Sequence, residues 1–186
     1  RPRDFKRLLV APRFMKERLL EHIRDETAAA SAGLSSRIIV KCNSVTEHDL
    51  IEALYAASRA GVRIDLLIRG ICCLVPGIPG TSDNIQVRSV VGRFLEHSRI
   101  FWFSNRGEPA VYIGSADWMG RNLIRRVEVL VPVLSPQAQS WIRTHVLDRY
   151  LTDVRRTRVM GADGVYVRLE GPGPDVHAQF LSDIDG

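Results

Sequence analysis

The sequence predicts an α/β fold, a mixed β-sheet flanked by helices, on three observations. Short β-branched runs alternate with stretches of helical period from Lys6 to Ile68. The intervening helices have the length of ordinary crossovers, which implies parallel strands covered by helices. Charged residues close several apolar runs, so they fall at strand ends, where open α/β sheets build their sites.

The elements follow in order. Residues 6–11 are a short apolar run stopped by Pro12, a strand. Over residues 14–30, Met15, Leu19, Leu20 and Ile23 recur at helical spacing, and Gly33 marks the exit. Residues 37–42 are brief and β-branched, a buried strand that sets Lys41 and Asn43 at its C-terminal end. Thr46 and Asp49 have the spacing of a capping box, opening a helix to about Ala60 whose stripe is Leu50, Ile51, Leu54 and Ala57, with Gly61 as its stop. Residues 62–68 form the next strand and deliver Arg69 at its edge. Residues 70–80, with Pro76, Gly77, Pro79 and Gly80, form a loop.

Strands are predicted at 85–91 and 99–103, with a short helical turn over 93–96 between them. Residues 105–108 make a hairpin turn, 110–113 the return strand, and 127–133 a further strand. Ser135 as cap and Pro136 at the first helical position open a helix to about Tyr150. Beyond Leu151 the pattern dissolves into the basic cluster Arg155, Arg156 and Arg158, a turn at 161–164, an edge strand at 165–169 and a linker-like Gly-Pro-Gly-Pro. Residues 1–155 therefore read as one domain and 156–186 as a loosely ordered extension.

With 186 residues, 45% apolar and 25% charged, the chain has the composition of a soluble globular domain able to bury a core. No run of 18 apolar residues exists, which excludes a membrane-spanning helix. Arg1-Pro2-Arg3-Asp4 is followed by no signal-like apolar region and lacks an initiator Met, so the chain is expected to be cut from something longer. A net charge of +5 favours an anionic partner without specifying one. The three cysteines include the neighbours Cys72 and Cys73, where a bridge would be strained, and this points to a reducing, cytoplasmic setting. No Cys/His spacing resembles a zinc site, and no metal ligand is assigned.

His97 is the first candidate for chemistry. Alone it would read as an ordinary histidine, but Arg93 and Arg99 flank it, and a guanidinium–imidazole group suits phosphate binding, proton shuttling and phosphoryl transfer. Arg69 closes an apolar strand, where an unpaired guanidinium is costly to bury; it either pairs with Asp65 or Glu96 or grips phosphate bidentately. Lys41 and Asn43 repeat that logic on the preceding strand, or are a solvated strand end. Ser115 and Asp117 could orient the imidazole or cap a helix beginning near Trp118. Cys72 and Cys73 read as apolar filler.

Residues 68–77 (Ile-Arg-Gly-Ile-Cys-Cys-Leu-Val-Pro-Gly), 91–101 (Val-Gly-Arg-Phe-Leu-Glu-His-Ser-Arg-Ile-Phe) and 112–119 (Tyr-Ile-Gly-Ser-Ala-Asp-Trp-Met) together resemble the C-terminal catalytic half of bacterial polyphosphate kinases of the first family. Lys-Cys-Asn-Ser at 41–44, Arg121-Asn122-Leu123 and Arg125-Arg126-Val127-Glu128 fit too, and the resemblance spans about residues 5–167. It implies reversible transfer of the terminal phosphate of ATP to inorganic polyphosphate, with magnesium and a phosphohistidine intermediate. It also implies a pair of phospholipase D-like domains, each giving a histidine to one site, with this chain as the last of them.

By the same resemblance, Arg69 and His97 contact the nucleotide phosphates, and His97 is the second histidine, a proton donor or phosphate-stabilising partner. Gly114-Ser115 resembles the Gly-Ser element that follows the histidine in the wider superfamily. Lys41, Asn43, Arg93, Arg99, Ser115 and Asp117 are expected around them as phosphate-contacting or orienting groups. ATP or ADP enters as substrate; the magnesium ligands, the phosphorylated histidine and the adenine contacts are expected upstream of this chain. The implied partners are ATP, inorganic polyphosphate, the upstream catalytic domain of the same protein and further copies of the full-length protein, with no nucleic acid. The implied location is cytoplasmic, with peripheral membrane association as an option.

Departures from the pattern are informative. The superfamily motif His-x-Lys-x4-Asp stands here as His97-x-Arg99 with Ser104 in place of Asp, and Ile124 occupies a position expected to be acidic. Two rival readings are a dimeric phospholipase D-like phosphodiesterase or nuclease and a non-catalytic polyanion-binding module. The missing Lys and Asp weigh against the first. On the leading reading the isolated chain binds its ligands but does not turn over.

Overall fold

The alternation of strand and helix period closes into one nine-stranded mixed sheet of order β1-β7-β6-β5-β2-β3-β4-β8-β9. The structure, a computed structural model, describes Phe5 and residues 7–185; Arg1-Pro2-Arg3-Asp4 and Lys6, the start of the first predicted strand, lie outside the described residues. The strands are β1 (Leu9–Ala11), β2 (Arg37–Cys42), β3 (Arg63–Ile68), β4 (Ile85–Val90), β5 (Ile100–Phe103), β6 (Ala110–Gly114), β7 (Glu128–Pro132), β8 (Thr157–Met160) and β9 (Tyr166–Arg168). Among the strands of the described residues, β2, β3 and β4 run parallel and the other strand pairings are antiparallel.

Helices α1 (Met15–Ser31) and α2 (His48–Arg59) cover one face. Their Met15, Leu19, Ile23, Leu50 and Leu54 pack with Ile38, Val40, Ile64, Leu66, Phe101 and Phe103. The other face is covered by α3 (Pro136–Trp141), which runs through a π-helical turn at Ile142–Leu147 into α4 (Asp148–Thr152), and by α5 (Val176–Asp185). Leu147, Tyr150 and Val176 there meet Ile39, Leu67, Val90, Ile100 and Val111. Strands β2 and β3 are thus buried on both faces, which is why their sequences are nearly continuous apolar runs rather than alternating ones.

Several expectations are corrected. The first strand is not parallel to β2. It lies at the sheet edge antiparallel to β7, Leu9 opposite Leu130, because β5, β6 and β7 fill the side of β2 that it would occupy. Thr46 and Asp49 form no capping box: Asp49 is drawn to Lys16 Nζ at 2.6 Å, and the Thr46 and Glu47 amides donate to the Trp118 carbonyl at 2.8 and 3.0 Å. Residues 93–96 form no helical turn, since Glu96 points inward to a buried lysine.

The segment after 155, expected as a loosely ordered extension, carries two strands and a helix. Thr157 and Arg158 pair with Val90 and Ser89 on β4, and Val176 and His177 are buried. The edge strand expected at 165–169 is β9. Ser135 caps α3 as expected, accepting from the Ala138 amide at 3.2 Å.

Candidate functional site

Strand direction gathers the candidates at one end of the sheet. Lys41 stands opposite Leu67 on parallel β3 and opposite Ile100 on antiparallel β5, and Ile100 stands opposite Ile113 on β6. The exits of β2, β3 and β6 and the entry to β5 therefore share one rim, which brings Lys41, Asn43, Arg69, His97, Arg99, Ser115 and Asp117 to the same end. The loops leaving β2 and β3 are stitched by the Gly70 amide, which donates to the Asn43 carbonyl at 2.7 Å.

Asp117 is the hub of one half. Its Oδ1 accepts from Arg99 Nε at 3.0 Å and from the Asn43 amide at 2.7 Å, while Oδ2 accepts from Arg99 Nη2 and Asn43 Nδ2, each at 3.2 Å. Burial pushes the Asp117 carboxyl up, but the Arg99 and Asn43 hydrogen bonds outweigh it and hold the group below the usual carboxylate range. Arg99 turns its Nη1 toward His97, 3.3 Å from the ring Nδ1 and 3.2 Å from the carbonyl. The imidazole itself is exposed. Arg99 thus touches His97 while its charge is balanced by Asp117.

Lys41 belongs to a second, buried network. It is 3% exposed, and its Nζ lies 2.9 Å from Glu96 Oε2 and 4.6 Å from the centre of the Tyr150 ring. Glu96 Oε1 accepts from His177 Nε2 at 2.6 Å. Burial raises the Glu96 carboxyl, yet the Lys41 charge and the hydrogen bonds of His177, Lys41 and Tyr150 bring it below its ordinary value. Lys41 is therefore bound inside the domain rather than presented to a ligand.

Arg69 differs from both. It is half-buried at the end of β3, and neither of the partners expected for it is available. Asp65 accepts from Arg37 at 2.7 and 2.9 Å, and Glu96 is held as described. Among the described residues Arg69 has no ion pair. It lines, with Lys41, Glu96 and Tyr150, a cavity of about 10 Å³, about the minimum for one water. Arg93 is exposed, 5.9 Å from the Phe94 ring centre.

Ser115 does not meet the imidazole; its hydroxyl donates to Glu128 and accepts from the Val129 amide at 3.2 Å. The glycine before it is required by close approach, since a Cβ on Gly114 would lie 2.1 Å from the Val129 carbonyl. Ser104 lies at the opposite end of β5 from His97 and donates to Glu26 of α1 at 2.7 Å. Ile124 is 51% exposed. Cys73 is exposed rather than filler, while Cys42 is buried.

Tyr150, His177 and Glu128 carry no site reading in the sequence, and Glu96 is read there only as a possible partner of Arg69. Glu128 was within reach, because it sits inside a resembling segment. His177 has no such signal. The acids bordering the site are already engaged: Glu96 by Lys41, Asp117 by Arg99, and Glu128 by Ser115 and Asn122. Among the described residues no group of three His, Cys, Asp or Glu could hold a metal ion, and no helix is long and apolar enough to cross a membrane.

Residues 8–179 match the family described as "Polyphosphate kinase C-terminal domain 2". A polyphosphate kinase of Thermosynechococcus vestitus is 51% identical over all of this chain and 26% of its own length. One from Pseudomonas aeruginosa is 52% identical over 90% of the chain and 24% of its own length. The chain thus spans about a quarter of the length of the curated relatives it matches. A solved polyphosphate kinase from Porphyromonas gingivalis superposes with a TM-score of 0.92 at 38% identity, covering the whole chain and 29% of that structure. The phospholipase D family member Nuc from Salmonella typhimurium shares the fold, with a TM-score of 0.54 at 19% identity over 87% of this chain and 96% of its own.

Proposed function

The chain belongs to the polyphosphate kinase C-terminal domain 2 family, and from that premise we propose that it forms one wall of a phosphoryl-transfer site moving the terminal phosphate of ATP reversibly onto inorganic polyphosphate. The observation that carries the reading is a contrast at the sheet end. Arg99 and Lys41 are neutralised by Asp117 and Glu96, whereas Arg69 has no ion pair among the described residues and the His97 ring is exposed.

Such chemistry needs position and charge more than covalent work from the protein. Arg69 offers a rigid fork of donors to the nucleotide phosphates. His97, held by Arg99, donates a proton or a hydrogen bond to a phosphate oxygen. Arg93 adds charge at the rim for an extended polyanion. The covalent phosphohistidine belongs to the remainder of the polypeptide. Among the described residues no group of three His, Cys, Asp or Glu fits a magnesium ion. The phospholipase D likeness rests on fold alone.

The test is ATP-dependent polyphosphate synthesis by the intact polypeptide carrying this domain. His97→Ala is expected to lower kcat by about 10²–10⁴-fold, the usual scale of general acid–base help. Arg69→Ala is expected to raise the KM for ATP. Unchanged kcat in His97→Ala, or vigorous synthesis by this chain alone, overturns the reading.

A further inference from the structure

We propose that His177, in the first turn of α5, is a positioning residue for His97 and acts through Glu96. The catalytic half of this inference rests on the function proposed above; the structural half stands by itself.

The segment joining β4 to β5 contains no helix or strand, and among the described residues its backbone-to-backbone hydrogen bonds lie at its ends. The Val91 amide donates to the Arg156 carbonyl at 3.1 Å, and the Gly114 amide to the Arg99 carbonyl at 3.3 Å. Between those points the fastening is made by side chains. Glu96 is 8% exposed and has both oxygens engaged, Oε2 by Lys41 Nζ and Oε1 by His177 Nε2. Against a carboxylate the imidazole nitrogen must be the donor. With both oxygens engaged, the plane of the carboxylate is fixed as well as its place.

The segment also folds directly over the His177 ring. A Cβ on Gly92 would lie 2.5 Å from His177 Nδ1, and the Phe94 ring centre stands 5.1 Å from that of His177. His97 follows Glu96 by one residue, and among the described residues its ring bonds Arg99 alone. The backbone of His97 is therefore pinned on one side by Glu96 and on the other by the Arg99–Asp117 pair.

His177 is in turn braced at the start of α5. The Val176 amide donates to Asp153 Oδ2 at 2.7 Å, and Asp175 pairs with Arg156 at 2.8 Å. Lys41 and Tyr150 come from the sheet and the covering helix, whereas His177 comes from the last segment of the chain. That segment is a brace under the loop that presents His97.

The experiment compares His177→Phe, which keeps ring packing and removes the donor, with His177→Gln, which keeps a donor. Both are made in the intact polypeptide; His177→Met replaces the Phe variant if that ring is not accommodated. Amide hydrogen exchange over residues 91–99 and steady-state kcat and KM for ATP are measured. The Phe variant is expected to exchange about tenfold faster there and to lose about 10–100-fold in kcat, with KM changed less than about threefold, while Gln restores both. Exchange over 91–99 equal to wild type overturns the proposal, as does wild-type kcat despite faster exchange. Should the wild-type polypeptide transfer no phosphate from ATP, the proposed function fails, and the exchange comparison alone decides whether His177 holds the loop.

Discussion

The Arg99 guanidinium closes on Asp117 at two points, Nε to Oδ1 at 3.0 Å and Nη2 to Oδ2 at 3.2 Å. A guanidinium so matched to a carboxylate has little charge left for a phosphate, and its remaining Nη1 faces His97. The pair therefore holds one side of the imidazole, and in the function proposed above the task of gripping an anion passes to Arg69.

Acid should loosen this arrangement. Asp117 and Glu96 both have folded-state carboxyls held below their ordinary values, so each contributes stability that is complete above the ordinary carboxylate range and is lost as pH falls through about 4 and below. Urea unfolding at a series of pH values should show stability dropping steeply from about pH 5 to pH 3. Asp117→Asn should cost about 1–3 kcal/mol at pH 7 and flatten that drop. An unchanged acid limb in Asp117→Asn would contradict the assignment.

Lys41 and Glu96 should be strongly non-additive. Each is nearly excluded from water, so Lys41→Met alone or Glu96→Gln alone leaves a buried charge with less compensation and should cost about 3–5 kcal/mol. The double variant removes both charges and should cost less than the sum of the singles by at least about 1 kcal/mol. Additivity in denaturant melts would mean that the ion pair is not formed.

What the sequence made legible follows from how local each signal is. Residues 37–42 were read with the bounds that β2 has, because a continuous β-branched run buried on both faces is its own evidence. Arg69 and His97 were legible as members of resembling segments. The pairings were not: Asp117 meets Asn43 across 74 residues and Glu96 meets His177 across 81. No spacing rule links residues so far apart, nor does one link Lys41 to Glu96 or Arg99 to Asp117, and so Lys41 and Arg99 read as available cations. The last segment failed for a related reason. The edge strand β9 was legible, but Arg158 and the Gly-Pro-Gly-Pro stretch weaken any period around it, and β8 and α5 are ordered by what they pack on rather than by their own pattern.

Gly114→Ala tests the tightest backbone contact at the site. The added Cβ would sit 2.1 Å from the Val129 carbonyl and 2.8 Å from Leu130, so β6 and β7 must part. A loss of about 3 kcal/mol or more is expected in thermal or urea melts. A variant within about 0.5 kcal/mol of wild type would show that the strands can give.

Thiol labelling separates the cysteines. Burial pushes the Cys42 thiol up to about 12 and the Cys72 thiol up to about 11, which leaves almost no thiolate at neutral pH, while Cys73 is exposed. Mass spectrometry after brief iodoacetamide treatment of the native protein should find label on Cys73 alone, with all three cysteines modified in urea. Native labelling of Cys42 would contradict the packing at the end of β2.

Arg69 and Arg99 should be told apart by pairing stability with binding. Arg69 has no ion pair among the described residues, so Arg69→Ala should leave unfolding free energy within about 0.5–1 kcal/mol of wild type while weakening ATP binding by the intact polypeptide about tenfold or more. Arg99→Lys keeps the charge but cannot reproduce a two-point match to Asp117, so it should lose about 1–3 kcal/mol of stability. Its effect on phosphate transfer should appear in kcat, through a misplaced His97, more than in the KM for ATP. If instead Arg69→Ala destabilises the fold and Arg99→Lys chiefly weakens ATP binding, the two arginines have exchanged the roles given to them by their partners.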